Sequence, residues 1–223
     1  MKKTAYHLIT ANIVCLSGLR IGGSDDLLQT GGTDLTCIKH PVTLQPYIPG
    51  SSLKGRLRSE MEHLDGKVGS TPCGCASGNC LVCRVFGPHA NTRHTLGPTR
   101  IIVRDAQFVV TDVQQNRITE RKATTAIDRQ TGTALHGSLR TEERVVAGSE
   151  FGFKMALQIW DIDDSCKFDD NAKKSHKGPD ALIEFLREAL RRVQRTGIGS
   201  GVSKGSGEIE FRNLKQDGND FSL

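Results

Sequence analysis

Apolar positions along this 223-residue chain recur with two periods, one typical of strands and one of helices. Residues 4–16 are rich in β-branched side chains and alternate in part, which predicts a first strand. Leu53, Leu57, Met61 and Leu64 return at helical spacing and predict a helix with one buried stripe. The entry to that helix is Pro46-Tyr-Ile-Pro-Gly-Ser-Ser52. Pro49 holds its predecessor extended, Gly50 permits a sharp change of direction, and Ser51 or Ser52 is a natural N-cap. Thr99–Val110 predicts a strand pair or one long strand, and Glu150–Trp160 resumes strand alternation. Residues 161–179 read as an acidic-then-basic linker. Pro179 then opens an amphipathic helix buried through Leu182, Ile183, Leu186, Ala189, Leu190 and Val193, and Gly197 stops it. A glycine-rich run, Gly197–Gly207, leads to a last strand at 208–211.

Two stretches carry no such period. Residues 112–147 are polar and include Arg117, Arg121, Lys122, Arg129, Arg140 and Arg144, with a hairpin signature at Gln130-Thr-Gly132. A segment this polar buries little and is expected to project, as a surface loop or as an arm contacting RNA or a neighbouring subunit. The other is Gly18–Gly32, whose glycines have the wrong spacing for a dinucleotide fingerprint. Asp25 and Asp26 there read as turn residues. Asp34 differs, because the short extended stretch Leu35–Val42 leads from it straight to the helix entry.

Charge sharpens the picture around that helix. The chain carries a formal net charge of +5, which permits a nucleic-acid partner, while aromatic residues at 5% do not suggest a base-stacking platform. Lys54 and Arg58 share a second face of the predicted helix and Arg56 flanks it. Free amides at a helix start, hydroxyls from Ser51 and Ser52 and these cations form a recurring grip for a phosphate backbone, although a solvated basic face has the same look. Gly199, Gly201, Lys204 and Gly205 can expose backbone amides to phosphates in the same way. The run lacks the Gly-Lys-Ser/Thr ending of a nucleotide-hydrolysing loop.

Seven cysteines without a secretory leader or a bilayer-spanning apolar run point to a cytoplasmic protein that uses thiols for metal and has no membrane partner. Cys73, Cys75, Cys80 and Cys83 fall within one glycine-rich loop, a spacing suited to tetrahedral ligation of structural zinc. The first pair is unusually tight, so His89 or His94 could take one position. Cys15, Cys37 and Cys166 stand alone.

Taken together, several segments resemble the RAMP-type backbone subunits of type III-A CRISPR effector (Csm) complexes. They are Ile48-Pro-Gly-Ser-Ser-Leu-Lys-Gly-Arg-Leu-Arg58, the cysteine loop ending in Phe86-Gly87, Arg104-Asp-Ala106, Ala126-Ile-Asp-Arg-Gln-Thr-Gly132, Glu143-Arg-Val-Val-Ala-Gly-Ser-Glu-Phe151 and the last glycine-rich run. The resemblance implies an α+β fold: one domain over 1–223 with a ferredoxin-like, RRM-type core, a zinc-knuckle lid inserted at about 66–98 and a β-hairpin thumb at about 112–147. It implies as partners a guide RNA, a target RNA, further copies of the same subunit in a filament, and other type III subunits including the large signature subunit. It places Ser52, Lys54, Arg58 and the glycine-rich run on the guide backbone, and matches Asp34 to the family's nuclease aspartate. A thumb would splay the target so that a 2′-hydroxyl attacks its adjacent phosphate, with Mg²⁺ or Mn²⁺ held weakly through Asp34. Two alternatives stand beside this: a guide-RNA scaffold without cleavage, and a metal-free guide-processing RAMP endoribonuclease with a histidine base.

Overall fold

The computed structural model describes residues 1–22, 35–90, 93–109, 118–170 and 172–223. In chain order its elements are β1 (Lys3–Cys15), β2 (Tyr47–Ile48), α1 (Gly50–Leu64), α2 (Leu81–Phe86), β3 (Ile101–Val103), β4 (Ala106–Val109), β5 (Thr119–Thr124), β6 (Arg140–Val145), β7 (Glu150–Trp160), β8 (Lys167–Asp169), β9 (Ser175–Lys177), α3 (Gly178–Thr196), β10 (Ile209–Gln216) and β11 (Asn219–Asp220). The fold is mixed α/β with antiparallel sheets. The main sheet runs β11-β10-β1-β7-β4-β2, with β3 also paired to β7.

Its centre is the long antiparallel pair β1–β7. Ile9, Ala11 and Ile13 lie opposite Met155, Phe153 and Phe151, and all six are buried. Because successive strand residues face opposite sides, this register puts one continuous apolar surface against the helices. α1 supplies Leu53, Leu57 and Met61 to it, with Leu64 packed at the edge. α3 supplies Leu182, Leu186, Ala189, Leu190 and Val193, together with Phe185. The helical periods were therefore visible in the sequence and the packing uses them.

Three local expectations are corrected. α1 begins at Gly50, and neither Ser51 nor Ser52 caps it; the Gly50 N–H instead donates to the Asp105 carboxylate at 2.7 Å. Gly50 is needed for space more than for turning, since a Cβ there would lie 2.5 Å from the Val103 carbonyl oxygen. Residues 161–179 are no linker. They form a 3₁₀ turn at Asp161–Asp163, the β8–β9 hairpin and the start of α3. What organises them is Asp163, fully buried and held by Arg84 at 3.1 Å and Arg100 at 2.7 Å. Finally, the loop of cysteines contains a helix, α2, all six residues of which are buried.

Candidate nucleic-acid interface and metal site

Four parts of the chain that are distant in sequence meet around Gly18–Gly22. The Leu19 amide and carbonyl pair with Val145 at the end of β6. Ile38 N–H donates to the Ile21 carbonyl, Ser200 N–H to that of Arg20 and Gly207 N–H to that of Gly18. The closeness explains two glycines of the terminal run: a Cβ on Gly199 would lie 2.3 Å from the Arg20 oxygen, and one on Gly207 2.0 Å from the Ile198 oxygen. Both also have positive φ, at 80° and 76°.

A cavity of about 190 Å³ opens at this junction, lined by Arg20, Ser52, Arg56, Gly199 and Ser200 among others. Arg20 donates one N–H to the Ser200 hydroxyl at 3.0 Å, while its Nε is buried with no partner. Arg56 donates to the Gly197 carbonyl at 2.9 Å and pairs with Glu60 at 2.8 Å. Two guanidinium side chains and the hydroxyls of Ser52 and Ser200 line this pocket, so it is chemically suited to an anion. Ser51 and Ser52 are exposed on the first turn of α1, and Lys54 is half-buried. Burial and the neighbouring Arg58 hold the Lys54 amine below its ordinary range. Gly201 and Gly205 flank a 3₁₀ turn at Val202–Lys204, whose Lys204 carbonyl accepts from Lys122 of β5 at 3.1 Å.

The base of the β5–β6 hairpin joins the same junction. Arg144 pairs with Glu120 at 2.6 Å and donates to Ser206 at 3.3 Å. Glu143 accepts from Cys37 N–H at 3.1 Å and from Lys39 at 2.7 Å, and its own amide donates to the Leu35 carbonyl at 2.8 Å. Burial works to raise the Glu143 carboxyl, but Lys39 and the Cys37 amide outweigh it and hold the group below the usual range. Asp34, next in sequence to Leu35, lies outside the described residues, as do Asp25, Asp26 and Arg117. Arg129 stands apart, exposed on the hairpin's tip.

The cysteines form a second site. The Sγ atoms of Cys73, Cys75, Cys80 and Cys83 lie within 4.8 Å of one another, with separations of 3.6, 4.0, 3.8 and 3.6 Å for four of the pairs. A tetrahedron with metal–sulfur bonds of about 2.3 Å has edges of about 3.8 Å, so the four sulfurs could hold a metal ion. The four sulfurs could do so without His89 or His94. The Ser77 backbone holds the exposed Cys75 thiol down to about 7, whereas burial pushes the Cys80 and Cys83 thiols up. Arg58, expected beside Lys54, is turned to this loop: it pairs with Glu62 at 2.8 Å and donates to the Cys73 carbonyl at 2.6 Å. Among the described residues no other group of three or more His, Cys, Asp or Glu could hold a metal. No described helix is long and apolar enough to cross a membrane.

Comparison with known proteins places the chain in a family. The RAMP superfamily profile matches residues 12–210. The chain belongs to the RAMP superfamily. Within it, the chain is 36% identical to the CRISPR system Cms endoribonuclease Csm3 of Methanothermobacter thermautotrophicus, over 96% of this chain and 87% of that one. It is 35% identical to the protein of the same name from Methanocaldococcus jannaschii (89% and 75%) and 31% identical to that from Streptococcus thermophilus (92% and 87%). The chain is thus a RAMP protein of the Csm3 family. In structure it is similar to the Csm3-Csm4 subcomplex of the type III-A CRISPR-Cas interference complex, with a TM-score of 0.58 and 24% identity over 97% of this chain and 80% of that one.

Sequence reasoning missed Arg20, Ser200 and Asp105. The Gly-Leu-Arg-Ile-Gly pattern around Arg20 did expose a cation among glycines, but its partner comes from residue 200. Asp105 caps a helix 55 residues before it, which no local pattern reveals.

Proposed function

We propose that this chain is a guide-RNA-binding backbone subunit of a cytoplasmic type III CRISPR effector complex that cleaves complementary target RNA. The observation that carries this reading is the junction at Gly18–Gly22, where the start of α1 and the glycine-rich run line an anion-suited pocket while the Leu35–Lys39 segment and the hairpin base bond to the same stretch. The names of the Csm3 relatives, CRISPR endoribonucleases, support it. The strand order β10-β1-β7-β4, with α1 and α3 as crossovers, supports a ferredoxin-like core, with a lid at about 66–98 and a thumb at about 112–147.

In this reading Ser51, Ser52, Lys54, Arg56, Arg20, Gly199, Gly201, Lys204 and Gly205 hold the guide backbone, and Arg58 steadies the lid beside it. Arg129 on the thumb meets the guide–target duplex. Sequence is read by base pairing, so no base-reading side chains are required. Copies of the subunit stack along the guide and contact other subunits, including the large signature subunit. The cysteine loop holds structural zinc: four soft sulfur donors with tetrahedral edges suit it, and a site closed by protein ligands leaves no position for substrate.

Cleavage follows from RNA's own chemistry. The target's 2′-hydroxyl forms a bond to the adjacent phosphorus while the bond to the 5′-oxygen breaks, leaving a 2′,3′-cyclic phosphate and a 5′-hydroxyl. The hairpin splays the nucleotide into line for that attack. Asp34 would act on the reacting phosphate, a role supported by the hydrogen bond that ties its chain neighbour Leu35 to Glu143 at the hairpin base. Asp34 would hold a divalent Mg²⁺ or Mn²⁺, which would supply charge stabilisation for the reaction.

The test is cleavage of guide-complementary RNA by the assembled complex, with Asp34→Ala compared to wild type, in Mg²⁺ and in chelator. Regularly spaced cuts should fall at least about 100-fold in the variant while target binding persists. Equal cutting by both overturns Asp34, and no cutting by either reduces the subunit to a scaffold.

A further inference from the structure

The cysteine loop is fastened to the end of α1, and the helix closure decides how. Lys67 N–H donates to the Glu62 carbonyl at 2.8 Å and Gly66 N–H to that of His63 at 3.3 Å. With Gly66 at φ 62°, this is the paired hydrogen-bond pattern of a Schellman motif. It turns the chain back over the last turn of α1 and delivers Lys67 to the cysteines. The ammonium lies 3.3 Å from Cys80 Sγ and 2.8 Å from the Asp65 carboxylate. Arg58 and Arg84 also reach the loop, but through the backbone oxygens of Cys73 and Gly78. Lys67 touches a ligand atom itself.

Four thiolates around a divalent ion leave a net charge of about −2 on the cluster. Cys75 can shed part of this into water, because it is exposed, whereas Cys80 is buried. Charge on the Cys80 sulfur is therefore offset by donors within the protein, namely the Cys83 N–H at 3.4 Å and the Lys67 ammonium. We propose that Lys67 is the outer-sphere cation of the cysteine site. It holds the Cys80 sulfur on the metal and shields that sulfur from electrophiles. The inference rests on the zinc reading above. It concerns a residue in no ligand set, and its effect is on metal retention, not on cleavage.

The experiment uses the full chain loaded with zinc, comparing wild type with Lys67→Met, Lys67→Gln and Lys67→Arg. Zinc affinity is read by competition with a chromophoric chelator, and zinc release is followed during alkylation by N-ethylmaleimide. Loss of an outer-shell partner typically lowers metal affinity by about 10–100-fold. Lys67→Met and Lys67→Gln should each bind zinc at least about tenfold more weakly and release it correspondingly faster, while Lys67→Arg stays near wild type. Using two neutral variants guards against misfolding of one. If wild type binds one zinc per chain and both neutral variants match it within about twofold, the inference falls and the zinc reading stands. If wild type takes up no zinc, both fall together.

Discussion

The cysteine loop, between α1 and β3, and the β5–β6 hairpin, between β4 and β7, are both insertions, and they are built in opposite ways. The cysteine loop is knitted inward. All of α2 is buried, Phe86 packs near Phe185 of α3, and Arg84 reaches Asp163 while Arg58 and Lys67 hold its first half to α1. The hairpin is held at its base and open beyond it. Val145 is its one buried strand residue, and Ile127, Leu135 and Leu139 near the tip are about half exposed or more. Its tip is shaped by its own polar side chains, through Asp128 to the Gln130 amide at 2.8 Å and Ser138 to the Ala126 amide at 3.0 Å. Side chains that are buried serve packing, whereas exposed ones shaped by local turns remain available to a partner.

That contrast can be broken at its strongest point by Asp163→Ala. The carboxylate bonds Arg84, Arg100 and the Trp160 amide, and Arg100 further donates to the carbonyls of Leu96 and Pro98. Removing it strands two buried cations, which should cost about 3–5 kcal/mol. A typical domain has about 5–15 kcal/mol in total, so urea unfolding should show a large loss or an unfolded chain. An unchanged midpoint would mean that the cysteine loop is not anchored there.

The pH dependence should separate the two regions next. Burial works to raise the Asp163 carboxyl, but hydrogen bonds from Arg100 and the Trp160 amide hold it below its ordinary range; Glu143 at the hairpin base is likewise held below its range. A depressed carboxyl contributes stability that is complete above its unfolded value, about 3.9–4.3, and is lost as pH falls through the folded value. The urea midpoint should be level from neutrality to about pH 5 and drop below about pH 4. Glu143→Gln should flatten part of that drop, and an identical acid limb in the variant would remove Glu143 from it.

The smallest expected effect lies at the tip. Arg129→Ala should change stability by no more than about 0.5 kcal/mol. If the thumb meets the duplex, the same change should lower the salt dependence of target binding by about one unit of slope. A large loss of stability instead would make the hairpin as integral as the cysteine loop.

Much of the scaffold was legible because its signals are periodic. Leu53, Leu57 and Met61, and Leu182, Leu186 and Leu190, announce two helices, and both stripes are buried. The four cysteines announce themselves by spacing, and the structure gathers their sulfurs. The six residues of α2 are too few to show a period, and the β8–β9 hairpin looks like a charged linker because its strands have three residues each. The candidate RNA site was half legible. Ser52 and Arg56 stood in a recognisable helix start, while Arg20 gained meaning when Ser200 and Gly199 were brought beside it.

By itself the sequence determined the periods of its strands and helices, the thiol donor set and the glycines around the terminal turn, because each depends on residues near one another in the chain. Only the tertiary structure decided that Asp105 caps α1, that Asp163 neutralises two arginines, that Arg58 serves the cysteine loop and that Arg20 bonds Ser200 beside the pocket. Each of these is a hydrogen bond or charge contact across a long sequence separation, and such contacts exist once the sheet and helices have closed around them.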